Sequence, residues 1–207
     1  FADFLHEAGQ KYWQLLPLGP TSYGDSPYQA FSTFAGNPYF IDLDALIAED
    51  LLTQKEVDAC AWGTEPRYVD YGRIYESRFP LLEKAKARGW ARDREAVAAF
   101  EAENARWLPD YALFMALKRH FGMKSWTEWP DEGARLHSPD AVARYRAELH
   151  EDVELFIYIQ FLFFRQWSAL KRYINGLGIR IIGDIPIYVA MDSSDVWSEP
   201  ENFQLDE

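Results

Sequence analysis

Gly178-Ile179-Arg180-Ile181-Ile182-Gly183-Asp184-Ile185-Pro186-Ile187-Tyr188-Val189 is the stretch on which the fold turns. Its β-branched run, Ile179 to Ile182, stands shortly behind an apolar segment, Leu155 to Phe164, interrupted only by Gln160. That segment is apolar at every helical position, the pattern of a helix buried on several faces. A buried helix followed by a β-branched strand is the closing half of a βαβ unit, which predicts an α/β chain with a parallel sheet. Asp184 then falls at the carboxyl end of a strand, where parallel α/β folds gather their ligands, and reads as functional. The competing reading is a carboxylate that hydrogen-bonds neighbouring loop amides and only shapes the turn.

Upstream, Tyr12-Trp13-Gln14-Leu15-Leu16-Pro17-Leu18 reads as a second buried strand, with Pro17 stopping the ladder. The loop after it, Gly19 to Pro38, carries Gly19, Pro20, Gly24, Pro27, Gly36 and Pro38. Loops of this length are uncommon unless functional or disordered, and the interleaved Tyr23, Tyr28, Phe31 and Phe34 argue against disorder. In a parallel sheet this loop emerges at the same rim as Asp184. Tyrosines in such a loop offer a ring face and a hydroxyl, which suits a sugar. Equally, Tyr28, Phe31 and Phe34 could simply anchor the loop to the core.

Between the strands, from Leu43 to Gly178, the pattern is helical. Asp93 is placed to cap one helix, and Asp110 to Phe121 sets Tyr111, Phe114, Met115 and Lys118 on one face before Gly122. Ser138-Pro139 opens a further helix that runs to Asn175 and is closed by Gly176 and Gly178. The first residues, Phe1 to Gly9, look like a helix end closed by glycine, and Gln204 to Glu207 carry no stop signal.

Composition limits the function. Of the 207 residues, 33 are acidic and 21 are Lys or Arg, a net charge of -12 that argues against nucleic acid. A single cysteine, Cys60, excludes an internal disulfide framework and fits a reducing compartment. No apolar run reaches the roughly 18 residues of a membrane span. The histidines His6, His120, His137 and His150 have no metal-ligand spacing. Asp192-Ser193-Ser194-Asp195 suggests a helix cap before Val196-Trp197 more than a cation site. No phosphate-binding glycine loop and no nucleophile-elbow serine occur. Aromatic residues make up 16%, so the chain either has a large core or stacks something flat.

Several long blocks resemble the 4-α-glucanotransferases (amylomaltases, or disproportionating enzymes). They are Tyr12 to Thr21, Tyr23-Gly24-Asp25-Ser26-Pro27-Tyr28-Gln29, Phe34 to Pro38, Tyr111 to Lys118, Phe163-Phe164-Arg165-Gln166-Trp167, and Gly178 to Val189 continuing through Asp195-Val196-Trp197. The resemblance runs in order along the whole chain. It implies a (β/α)8 barrel with helical insertions, a cytoplasmic location, no cofactor, and transfer of α-1,4-glucan segments between maltooligosaccharides. The family carries its nucleophile in an Arg-x-Asp-His motif, followed by an acid/base Glu; neither occurs before Glu207. The chain therefore resembles an amino-terminal fragment, inactive alone, that forms a partial (β/α)8 barrel (second and third strands) with a large all-helical insertion. Its expected parts are 1–42 (barrel, second strand and glucan-binding loop), 43–150 (helical insertion) and 151–207 (buried helix, third strand and following loop).

Carried over by position, Asp184, Tyr28 and Ser26 resemble the lining of the subsite where the glycosyl-enzyme forms. Tyr23 and Tyr75 resemble a tyrosine pair forming a second glucan site, Tyr75 within Val69-Asp70-Tyr71-Gly72-Arg73-Ile74-Tyr75. The implied mechanism is retaining transfer, in which a carboxylate forms a glycosyl-enzyme that a sugar hydroxyl resolves. Two other readings stay open: a noncatalytic α-glucan-binding module using Tyr23, Tyr28 and Tyr75, and a helical structural segment without a ligand. With only two of a barrel's strands, the large side chains around them are expected to be exposed.

Overall fold

The computed structural model describes residues 1–65 and 67–205, with the exception of the Tyr23 side chain. The elements run α1 (Ala2–Glu7), β1 (Tyr12–Gln14), α2 (Leu43–Ala48), α3 (Gln54–Asp58), α4 (Tyr71–Gly89), α5 (Arg94–Glu103) and α6 (Leu108–His120). They continue through α7 (Glu132–Arg135), α8 (Pro139–Glu148), α9 (His150–Gly176), β2 (Arg180–Ile182) and α10 (Ser194–Ser198). The chain is mostly helical with a small parallel sheet, in the register Tyr12↔Arg180, Trp13↔Ile181, Gln14↔Ile182.

α9 organises the helices. Every residue from Leu155 to Phe163 is buried, as an all-round apolar helix requires, and α4, α5, α6 and α8 pack against it. Gln160 is fully buried and acts as a clamp: Gly36 N donates to its Oε1 at 2.7 Å, and its Nε2 donates to Gly36 O at 2.9 Å. Gln166 repeats the device on Asp42, accepting from Asp42 N at 2.7 Å and donating to Asp42 O at 3.1 Å. Glycine is required at position 36, because a Cβ there would lie 2.0 Å from the Phe163 ring. These amide clamps bind the long loop and its continuation to the central helix. Replacing Gln160 with Leu would leave both Gly36 backbone groups buried without partners, at about 1–3 kcal/mol each. We expect Gln160→Leu to lower unfolding free energy by about 2–5 kcal/mol in a urea titration. A midpoint unchanged from wild type would show that the clamp carries no stability.

Several expectations are corrected. The strands are shorter than the apolar runs, and β1 stops at Gln14, although Leu15 N still donates to Ile182 O at 2.9 Å. Neither strand is fully buried. Both alternate exposed, half-buried, exposed, because only one face is covered. On that face Trp13 and Ile181 pack with Leu5 and Leu177 against Ala2, Ile174 and Ile179. Tyr12 and Ile182 point the other way and are exposed, as are Leu16 and Ile185 beyond the strand ends.

The single helix expected from Ser138 to Asn175 is two helices. Leu149 leaves helical geometry at ψ 24°, so α8 can turn onto α6 and α7 while α9 threads the core. Asp93 stands at the N-cap of α5, yet its side chain makes no cap bond; it accepts instead from Tyr158 Oη at 2.7 Å and from Arg92. Ser138 likewise caps without a side-chain bond, and α6 begins at Leu108, ahead of Asp110. The cap expected near Asp192 is present, with Val196 N donating to Ser193 Oγ at 3.3 Å. It starts α10, whose Trp197 is buried against Phe114 and Trp129 with ring centroids 5.7 Å from each.

Candidate functional site

β1 and β2 are parallel, so the loops after them leave the sheet at one edge. The first loop is folded back on itself. Thr21 and Ala30 form an antiparallel bridge, Ser22 N donates to Gln29 O at 2.8 Å, and Phe31 N donates to Pro20 O at 2.9 Å. Gly24 and Asp25 turn the tip with φ of 71° and 53°. Tyr28 N donates to Ser26 Oγ at 3.3 Å, and Gln29 N to Ser26 O at 3.1 Å, which fixes Tyr28 on the return arm.

From there the Tyr28 hydroxyl donates to Asp184 Oδ2 at 2.8 Å, across 156 residues of sequence. The other carboxylate oxygen of Asp184 accepts from Ile185 N at 2.9 Å. Asp184 thus shapes its turn through one oxygen and presents the other to the neighbouring loop. A cavity of about 730 Å³ opens beside the pair, walled by Ser26 and Gln29 on one side and Ile187, Tyr188 and Met191 on the other. Among the described residues, Asp184 is the single carboxylate in its lining. The lining therefore offers hydroxyl and carboxylate partners to a polyhydroxylated ligand, with apolar side chains beside them. It does not supply the two carboxylates that glycosidic bond exchange uses.

The hydrogen bond to Asp184 raises the Tyr28 phenol above its ordinary range, with desolvation and the carboxylate's charge adding to the effect. The raised value favours the protonated phenol, so the bond is intact below about pH 10 and is lost as pH rises through the raised value. Ultraviolet difference titration of wild type against Tyr28→Phe is expected to show the Tyr28 step above about pH 10. A step at or below the ordinary phenol value would contradict the bond.

Tyr28, Ser26 and Asp184, singled out from the sequence, are thus brought together. Ser26 contributes through the turn it closes. Tyr75 lies elsewhere, half-exposed on α4 with its ring 5.0 Å from Phe79. Its surroundings include Tyr39, whose phenol is pushed up to about 12 by burial first and then by the charges of Asp25 and Tyr75. Tyr71 adds a third ring, 6.2 Å from Tyr39. Tyr39, in the turn Pro38–Phe40, thus sits among tyrosines of α4, whereas the Tyr23 side chain expected to join Tyr75 lies outside the described residues. The aromatic loop residues divide: Phe31 packs on the core near Phe114, while Phe34 is about half exposed beside Trp107. Sequence reasoning missed Ile187 and Tyr188 as cavity wall and Tyr39 as the centre of the tyrosine cluster. The run of large side chains after Pro186 was the available signal for the first two. Among the described residues no helix is long and apolar enough to cross a membrane, and no group of three or more His, Cys, Asp or Glu could hold a metal ion.

The chain is thus mostly helical, with a small parallel sheet and a tyrosine–aspartate pair beyond the ends of its two strands. The family model described as 4-alpha-glucanotransferase matches residues 1–207, and the chain belongs to that family. It is 49% identical over 205 residues to the 4-alpha-glucanotransferase of Clostridium butyricum, covering 99% of this chain and 42% of that protein. It is also 49% identical over 211 residues to that of Thermus thermophilus, covering 100% of this chain and 41% of the relative. Among solved structures, the amylomaltase from Streptococcus agalactiae in complex with acarbose superimposes with a TM-score of 0.96 at 44% identity, over 100% of this chain and 42% of that one. The chain spans about 42% of the length of the first of these relatives.

Proposed function

We propose that the polypeptide to which these residues belong transfers α-1,4-glucan segments between maltooligosaccharides by a retaining double displacement, without a cofactor. The observation that carries this reading is the Tyr28–Asp184 hydrogen bond, which joins two loops at the carboxyl edge of parallel strands and walls a cavity with hydroxyl and carboxylate groups. In it, β1 and β2 are the second and third strands of a (β/α)8 barrel. Residues 1–42 carry the second strand and its glucan-binding loop, 43–150 are the insertion, and 151–207 carry the buried helix, the third strand and its loop. The parallel pairing, the helix that feeds β2 and the uncovered sheet face support that assignment.

Asp184 accepts sugar hydroxyls whose hydrogen bonds strengthen as the anomeric carbon becomes oxocarbenium-like, and Tyr28 stacks or bonds beside it. Ser26 holds the turn. The nucleophile and acid/base are residues of the same polypeptide outside these 207. Tyr23 and Tyr75 form a second glucan site. The free Cys60 and the acidic charge fit a cytoplasmic protein acting on neutral glucans. Incubated with maltotriose and no added cofactor, the natural polypeptide should form glucose and maltopentaose together. Recovery of unchanged maltotriose, or of glucose and maltose alone, would overturn the proposal in favour of a binding module or a hydrolase.

A further inference from the structure

Lys118 is the one charged residue in the buried stretch of α6, and its side chain is 1% exposed. The ammonium donates to the Met123 carbonyl at 3.1 Å, to the Lys124 carbonyl at 2.8 Å, and to Asp192 Oδ2. All three of its donors are thereby used. The carbonyls are turned onto it by Gly122 and Met123, consecutive residues with φ of 68° and 62°. The other oxygen of Asp192 accepts from Trp126 N at 3.2 Å, and Trp126 Nε1 donates to Met191 O at 2.8 Å. Below the ammonium lies the Phe31 ring, its centroid 5.2 Å away.

These contacts meet at the root of both site loops. Two residues after Asp192, Ser194 N and Oγ donate to Phe31 O at 2.8 and 3.1 Å. Asp195 accepts from Thr33 N at 3.0 Å and from Thr33 Oγ1 at 2.8 Å. Phe31 is three residues from Tyr28, and Asp192 is eight from Asp184. A buried ion pair is a poor source of net stability, because desolvation offsets most of its attraction and an apolar replacement is often as stable. What it supplies is a single directed geometry. We propose that Lys118 is a positioning residue: through Asp192 and Phe31 it sets the separation of the two loops and so holds the Tyr28 hydroxyl against Asp184. The inference rests on the assignment of the Tyr28–Asp184 cavity as a sugar site.

The test is a double-mutant cycle on maltotriose disproportionation by the natural polypeptide, using Lys118→Met, Tyr28→Phe and the pair. Lys118→Met should lower kcat/KM by about 10- to 100-fold, the scale of a misplaced binding group. In the Tyr28→Phe background, where the hydroxyl being positioned is gone, the same change should cost less than about threefold. Asp192→Asn keeps the side-chain shape and should reproduce the pattern in milder form, so the question stays answerable if Lys118→Met does not fold. Equal losses in both backgrounds would overturn the positioning role, because a general structural defect is additive. A Tyr28→Phe or Asp184→Asn variant with wild-type kcat/KM would instead overturn the site assignment, and the positioning role with it.

Discussion

Asp184→Asn in the natural polypeptide is expected to lower kcat for maltotriose disproportionation by about 100-fold or more while leaving the fold intact. Asparagine keeps the shape and an acceptor for Ile185 N, whose bond to Asp184 Oδ1 is 2.9 Å. What it removes is the negative charge facing the cavity. Hydrogen bonds to an ionised acceptor are roughly twice as strong as neutral ones, and those that tighten in an oxocarbenium-like transition state contribute several kcal/mol. A loss of about 2.7 kcal/mol corresponds to 100-fold in rate. Because Asp184 is exposed, its replacement should move stability by no more than about 0.5 kcal/mol. A kcat within about threefold of wild type, with the same melting temperature, would reduce Asp184 to the shaping of its turn.

The second large effect concerns the 207 residues produced by themselves. Tyr12, Leu16 and Ile182 are exposed around the sheet, and Ile185, Tyr188 and Ile187 are 79%, 83% and 90% exposed on the loop that follows. Contiguous apolar surface beyond a few hundred Å² normally finds a partner or aggregates. Among the described residues, the two strands also have unpaired outer edges. Against this stands the helical body, where Phe114, Trp129, Tyr158 and Trp197 are almost wholly buried. We expect strong binding of a hydrophobic dye and self-association that rises with protein concentration, centred on the sheet edge. Dye-silent, monomeric material with a sharp cooperative melt would contradict this, and would mean that the helical body alone shields those side chains.

What the sequence discloses is what depends on neighbours in the chain. The all-round apolar run Leu155 to Phe164 reads directly as the central helix, and Ile179 to Ile182 as the strand behind it. The strand-end position of Asp184 and the ring in the Gly/Pro-framed loop lead to the pair that meets at 2.8 Å. Features made by distant partners stay hidden. Gln160 reads as a flaw in an apolar run, yet it holds the backbone of Gly36, 124 residues away. Lys118 reads as one more residue on a helix face, because its partner Asp192 lies 74 residues further along. Asp93 reads as a cap, but Tyr158 and Arg92 compete for its carboxylate and win. Strand burial stays hidden for a related reason: β-branched composition reports what a strand is suited to face, while its exposure depends on which elements cover it.

The Tyr28–Asp184 cavity is proposed here as a sugar site. A crystal structure of the natural polypeptide with acarbose, the ligand of the Streptococcus agalactiae relative, tests it most directly. The account predicts a ring of the ligand in the cavity, with a hydroxyl within about 2.6–3.2 Å of the Asp184 carboxylate. The Tyr28 ring should lie against the same sugar. Acarbose bound with no oxygen within hydrogen-bonding reach of either residue would contradict it.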